Sequence, residues 1–275
     1  MDAHPMTVWV RRLLRPAPRA LLASGALAAL ALAGAAEMAR PDRAAAQPAA
    51  AFGPGPAAPA VGERPAASRP ERRLEGFLLV VPRQGREIVV RSRPGGGVVT
   101  RLGARTEFGS PTTLAVVRER GRWLGVVTTR LPNGRLGWVD RRESALRLRR
   151  TRTSLVVDLS ARRLLLKRGD RVVHRMTVGV GRPGSPTPVG RFAVTDKLPG
   201  PAYGAYYGCC IVALSAHQPN LPPGWTGGDR IAVHGTNDPS SVGAAASAGC
   251  PRARDADLRV LMRRVPLGAP VFVRP

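Results

Sequence analysis

From Phe77 onward the chain is cut into short apolar runs by glycine, proline and other turn formers, and that punctuation leaves room for little but a mainly β fold. Phe77–Val81, Glu87–Val90, Leu114–Val117 and Trp123–Val127 are rich in Val and Leu and have strand length. Asn133-Gly134 supplies the residues a hairpin turn needs, and Gly137-Trp138-Val139 follows it. The same reasoning predicts strands at Ser154–Leu159, Leu164–Lys167, Val172–Val180, Arg191–Thr195, Ile211–Leu214, Ile231–Val233 and Ala269–Val273, with a turn at Gly169-Asp170. One stretch departs from the pattern. Leu258, Leu261, Met262 and Val265 fall three and four apart, the spacing of a single helix face. Asp255 stands where it caps that helix or favours its N-terminus, and Pro266 stops it.

Ahead of these segments, Arg11, Arg12, Arg15 and Arg19 precede an uncharged, proline-free run, Leu21–Ala36. The run falls short of the roughly 20 residues a membrane span needs. It predicts an export segment over 1–36, either a signal peptide cleaved near Ala33 or Ala35 or an uncleaved anchor in contact with the membrane. Both alternatives place the remainder in the cell envelope, on the cell-wall or periplasmic side. Residues 37–76 are rich in Pro and Ala, with Phe52 their one aromatic, and read as a spacer that cannot bury enough surface to fold. Two folded segments remain, 77–150 and 151–275.

The formal charge of +25 is almost entirely arginine, Lys167 and Lys197 being the only lysines. It is spread over both folded segments rather than gathered in a tail. Such an excess favours polyanions, among them lipid head groups and anionic wall polymers, and coding bias produces the same composition without any partner. Nucleic acid is set aside: no helix-turn-helix, zinc finger or aromatic stacking platform accompanies the charge, and the export segment opposes it.

The chain has three cysteines. Cys209 and Cys210 are adjacent; a bond between neighbours is strained and rare, so they read as small strand residues. No paired cysteines or Cys/His cluster points to zinc or another metal. Cys250 is the residue that needs explaining. His234 ends a strand and meets Gly235, where the backbone can turn; Cys250 closes Ser-Ala-Gly-Cys; and the residues between them are small and turn-forming, enough to loop back and bring both side chains together. A thiol with pKa near 8.5 is barely ionised at neutral pH, so a nucleophilic cysteine needs a base or cation beside it. An imidazole supplies the base and can later protonate a leaving amine. Backbone N–H groups around Gly249 and Cys250 offer an oxyanion pocket. His217, in a proline-rich segment, reads as surface or lid, and His174 as structural. Tyr203, Tyr206, Tyr207 and Trp225 form either a substrate-facing lip or packing.

The ordered stretch Ile231–Arg252 resembles the signature of the L,D-transpeptidase (YkuD-type) catalytic domain, in which a strand-ending His-Gly-Thr leads to Ser-x-Gly-Cys-x-Arg. His234, Gly235, Thr236, Ser247, Gly249, Cys250 and Arg252 match. Thr187-Pro188-Val189-Gly190-Arg191-Phe192 is similar to the family's TPxGxF turn, Val156–Ser160 to its opening strand, and the helix followed by PLGAPVFV to its end, so the resemblance covers about residues 153–273. Ahead of it, PGGGVV (94–99), RWLGV (122–126) and NGRLGWV (133–139) resemble a bacterial SH3-type barrel, a module that binds wall peptides or serves as a spacer. Ala248, where a second histidine is common, and Pro251 depart from the family pattern.

The resemblance implies an SH3-like small barrel followed by a β-sandwich or sheet domain with one C-terminal helix. It implies a cysteine acyltransferase that cross-links peptidoglycan stem peptides without metal or organic cofactor. Cys250 would form the acyl-enzyme, His234 activate it and the Gly235 carbonyl orient the imidazole. Ser247 and Gly249 would shape the pocket, while Arg252 holds the cysteine loop or meets a substrate carboxylate and Thr236 lies on the substrate side. If water takes the acyl group, the same site is an L,D-carboxypeptidase or endopeptidase; a degenerate second domain would leave a non-catalytic wall-binding protein. Donor and acceptor stem chemistry and oligomeric state are not written in these motifs.

Overall fold

The computed structural model describes residues 76–275, so the export segment over 1–36 and, apart from Gly76, the spacer over 37–76 lie outside the described residues. The first apolar runs form β1 (Phe77–Pro82), β2 (Ile88–Arg91), β3 (Val98–Leu102), β4 (Leu114–Arg120), β5 (Trp123–Val126), β6 (Gly137–Asp140) and β7 (Leu146–Thr151). They pair antiparallel in one sheet of order β3-β2-β6-β5-β4-β1-β7. Alternate residues, among them Leu78, Val80, Ile88, Val90, Leu124 and Val126, make its core. Asn133-Gly134 does turn the chain, Gly134 at φ +79°, but within a longer β5–β6 loop that reaches away from the sheet.

Arg152 alone separates β7 from the next strands, β8 (Thr153–Asp158), β9 (Arg163–Arg168), β10 (Arg171–Thr177), β11 (Val180–Gly181), β12 (Gly190–Pro199), β13 (Cys210–His217), β14 (Arg230–His234), β15 (Ala245–Ser247) and β16 (Pro270–Arg274). Seven of these form a second sheet of order β10-β9-β8-β16-β12-β13-β14, and β11 pairs with β15 in parallel. β16 is inserted between β8, to which it runs parallel, and β12, to which it runs antiparallel.

The helix α1 (Asp255–Arg264) packs against β13 and buries Leu258 and Leu261 fully, in the core that also holds Leu155, Val157, Leu164, Leu166 and Leu214. Cutting either leucine to alanine is expected to cost about 2–5 kcal/mol, the range for buried leucines. Asp255 and Asp257 in its first turn and Arg263 and Arg264 in its last suit the helix dipole. Asp255 does not cap the helix: the N-cap is Arg254 without a side-chain bond, and the Asp255 carboxylate instead accepts from the Cys209 N–H at 3.0 Å. His174 is structural, as expected, with Nε2 2.8 Å from the Asp257 carboxylate of α1.

The two sheets lie within one compact unit and touch through specific side chains. Leu79, Ala115 and Val127 pack on Ala193 of β12, and Phe108 packs among Leu198, Ile211, Ala213 and Ala232 on the outer face of β12–β14. Thr106 donates to the buried carboxylate of Asp196, and Arg230 pairs with Glu107 while its guanidinium lies 5.8 Å from the Phe108 ring. His217 is no mobile lid residue. Its Nδ1 lies 2.9 Å from Asp229, its Nε2 2.9 Å from the Thr129 carbonyl, and its backbone N–H and C=O both bond the Asn133 carboxamide. The proline-rich composition around it hid partners lying more than eighty positions away in sequence.

Candidate active site

β14 ends at His234 because the next residue must tolerate very close neighbours: a Cβ on Gly235 would collide with the Asp255 carboxylate and press on the backbone of Gly208 and Tyr207. The cysteine loop returns alongside. The His234 N–H donates to the Pro251 carbonyl at 3.1 Å and the Ala253 N–H to the His234 carbonyl at 3.0 Å, while Gly179 and Arg252 exchange both backbone bonds. His234 and the residues that follow Cys250 therefore lie on adjacent, mutually bonded segments.

The imidazole is 1% exposed. Its Nδ1 bonds the Gly235 carbonyl at 2.5 Å, which places the proton on Nδ1 and leaves Nε2 as a base; Nε2 is buried without a partner among the described residues. Burial lowers the imidazole pKa from 6.5 to about 4; the Gly235 bond opposes that shift and Arg252 adds to it. Tyr207 and Tyr206 pack on the ring at centroid distances of 5.0 and 5.5 Å.

Cys250, partly exposed, is the free cysteine. Its sulfur accepts from the Ala232 N–H at 3.4 Å and points its S–H at the Arg230 carbonyl, 3.8 Å away. Burial raises the thiol pKa, while the Ala232 N–H and then Arg252 pull it down. No hydrogen bond joins the thiol to the imidazole.

Arg252 is buried, its guanidinium 4.9 Å from the Tyr206 ring and donating to the Tyr206 hydroxyl, with Nε left without a hydrogen-bond partner among the described residues. It faces both reactive groups electrostatically. Thr236 is turned to local use, its hydroxyl accepting from the Asp238 N–H at 3.0 Å. The oxyanion expectation needs correcting at Gly249. Its N–H is taken by the Ser247 hydroxyl at 3.1 Å and its carbonyl by the Thr187 hydroxyl at 2.7 Å. Both residues hold the loop, and the Cys250 N–H, which has no acceptor among the described residues, is the backbone donor left beside the sulfur.

Two features escaped the sequence. Cys209 and Cys210, expected as small strand residues, are joined by a disulfide where β13 begins, directly after the Tyr206–Tyr207 turn that covers His234. Gln218, 4% exposed, donates to the Ala248 and Pro186 carbonyls, each at 3.0 Å. A lone glutamine in a proline-rich run gives no chemical signal of such a role.

Comparison with known proteins bears on this arrangement. Residues 152–273 match the family model described as the L,D-transpeptidase catalytic domain, YkuD. A protein of Bacillus licheniformis named as an L,D-transpeptidase, YkuD, is 33% identical over 123 residues, 44% of this chain and 65% of that protein. Its Bacillus subtilis namesake is 31% identical over 121 residues, 43% of this chain and 64% of that protein. The chain thus spans just under two thirds of the length of these relatives. Among solved structures, an L,D-transpeptidase from Mycobacterium smegmatis is similar at 19% identity and a TM-score of 0.38, covering 58% of this chain and 80% of that one.

Proposed function

We propose that residues 152–273, which match the L,D-transpeptidase (YkuD) catalytic-domain model, cross-link peptidoglycan stem peptides through an acyl-enzyme on Cys250. The observation that carries this reading is the unpartnered Nε2 of His234, held in the base tautomer by Gly235 on the segment bonded to the cysteine loop.

In the proposed reaction the Cys250 sulfur attacks the carbonyl of the L-centre in a donor stem while its proton passes to His234 Nε2. The carbonyl oxygen gathers charge next to the Cys250 N–H. Collapse breaks the C–N bond, and the departing D-amino acid amine takes the proton from His234, leaving a thioester. An amine of a neighbouring stem attacks that thioester, His234 accepts its proton, and the thiolate leaves and is reprotonated. Arg252, a buried cation whose Nε has no hydrogen-bond partner among the described residues, suits a stem carboxylate. We assign the sheet β1–β7 to an SH3-like barrel that engages wall peptide, and the apolar run over 21–36 supports work outside the cytoplasm, in the cell envelope.

Incubation with purified tetrapeptide stems, read by mass spectrometry, is expected to yield cross-linked dimer with release of the terminal D-amino acid. A carbapenem is expected to add its mass to the wild-type chain and not to Cys250→Ala. Labelling that survives that change, or stems left intact, would overturn the assignment; free tripeptide without dimer would mean water is the acceptor.

A further inference from the structure

We propose that Gln218 is a positioning residue for the nucleophile loop, and that the N-terminal sheet sets its place through His217; the catalytic consequence rests on the reading of Cys250 as the nucleophile. Gln218 follows directly on β13 and its carboxamide is fully used. Nε2 donates to the carbonyl of Ala248, two residues before the cysteine, and to that of Pro186, in the turn whose Thr187 holds the Gly249 carbonyl. Oε1 accepts from the Asn220 N–H at 3.0 Å. Gly249, at φ +119°, lies so close that any Cβ there would collide with Gln218 Nε2. One side chain thus ties the Ala248–Gly249 peptide, one link ahead of Cys250, to the Pro186 turn.

The preceding residue belongs to the other sheet's grip. Asn133 takes both backbone groups of His217, at 2.9 Å and 2.6 Å, and the Thr129 carbonyl meets its Nε2. Asp229 both meets the His217 Nδ1 and, by its carbonyl, receives the Gln218 N–H at 2.7 Å. A second tie runs parallel to the first: Glu107 pairs with Arg230, whose carbonyl receives the thiol proton of Cys250. The first tie ends at the Ala248 carbonyl of the cysteine loop and the second at the carbonyl that faces the thiol. A shift in the β5–β6 loop or in the Thr106–Phe108 turn is therefore transmitted toward Cys250, through the Gln218–Ala248 bond at 3.0 Å and through the Arg230 carbonyl 3.8 Å from the sulfur. Misplacing a reacting atom by about an ångström costs up to a hundredfold in rate, so these bonds bear on chemistry as well as stability.

Cys250 is the only one of the chain's three cysteines outside the disulfide, so iodoacetamide alkylation reads its placement directly, without any assumption about the natural reaction. The full chain, Gln218→Ala, the volume-matched Gln218→Met and the surface variant Asn133→Ala are compared for alkylation rate across pH, for kcat and KM on stem peptides, and for thermal midpoint. The expected result is a shifted alkylation profile and kcat lower by about tenfold to a hundredfold in both Gln218 variants, with KM nearly unchanged. Asn133→Ala is expected to move the same readouts in the same direction by less. A lowered midpoint with an unmoved alkylation profile makes Gln218 merely structural and overturns the proposal. A wild-type profile in Asn133→Ala, beside altered Gln218 variants, overturns the link to the N-terminal sheet. Altered alkylation with no stem turnover by the wild type upholds the positioning role and removes the transpeptidase reading instead.

Discussion

The Nδ1–H of His234 donates to the carbonyl of Gly235, its own neighbour, at 2.5 Å. That bond decides which nitrogen can act, and burial decides when. With the pKa pressed down to about 4, the imidazole is a free base throughout neutral pH. The activity, measured as kcat/KM on stem peptides, is therefore expected to be level across neutral pH and to fall as pH approaches 4. An inflection at the ordinary imidazole value of 6.5 would show His234 to be solvated, or not the base.

The same shift links folding to pH. The unfolded chain protonates this histidine near 6.5, whereas the folded chain refuses the proton until about 4. Stability is thus complete above 6.5 and is lost as pH falls through that window, by about 3 kcal/mol for a shift of this size. Urea midpoints at neutral and mildly acid pH should separate for the wild type and draw together in His234→Gln.

Arg252 lowers the pKa of the thiol that burial raises. Arg252→Met is expected to slow iodoacetamide alkylation of Cys250 several-fold at neutral pH and to carry its midpoint to higher pH. Arg252→Lys, which keeps the charge, should retain most of the rate. Equal slowing in both variants would assign the effect to the lost Tyr206 contact rather than to charge.

Gly249→Ala is expected to destabilise the chain by about 2 kcal/mol or more, since it meets both a positive φ and the Gln218 carboxamide. Pairing it with Gln218→Ala removes the collision but not the backbone cost. The double variant should recover part of the loss in a urea titration; strict additivity would place the whole penalty on the backbone.

Much of this was legible in the sequence because its signals are local. His234-Gly235 and Gly249-Cys250 announce themselves by residue type within a few positions, and α1 by the spacing of Leu258, Leu261 and Val265. β3 and β7 were not legible: Val98–Leu102 is largely exposed, and Leu146–Thr151 interleaves arginines, so neither reads as an apolar run. The clasp on His217 was misread because its partners, Thr129 and Asn133, come from another sheet. The Gly249 N–H was misassigned for a smaller reason. A serine two residues earlier can satisfy it, and only coordinates show that it does.

The place of β16 has a consequence for how the molecule comes into being. β8 and β12 never touch one another as ladder partners; beside β9 and β13, each gains its second neighbour only from β16, a strand from beyond α1 that lies between them. A nascent chain that has reached α1 holds two half-built ribbons with raw edges facing a gap. Closing that slot joins residues more than a hundred positions apart in a single event, the kind of contact that makes folding slow and leaves unfinished edges open to the wrong partner. The step that seals the molecule is therefore an insertion at its middle, and a lesion within Pro270–Arg274 would be felt as a split rather than as a frayed end.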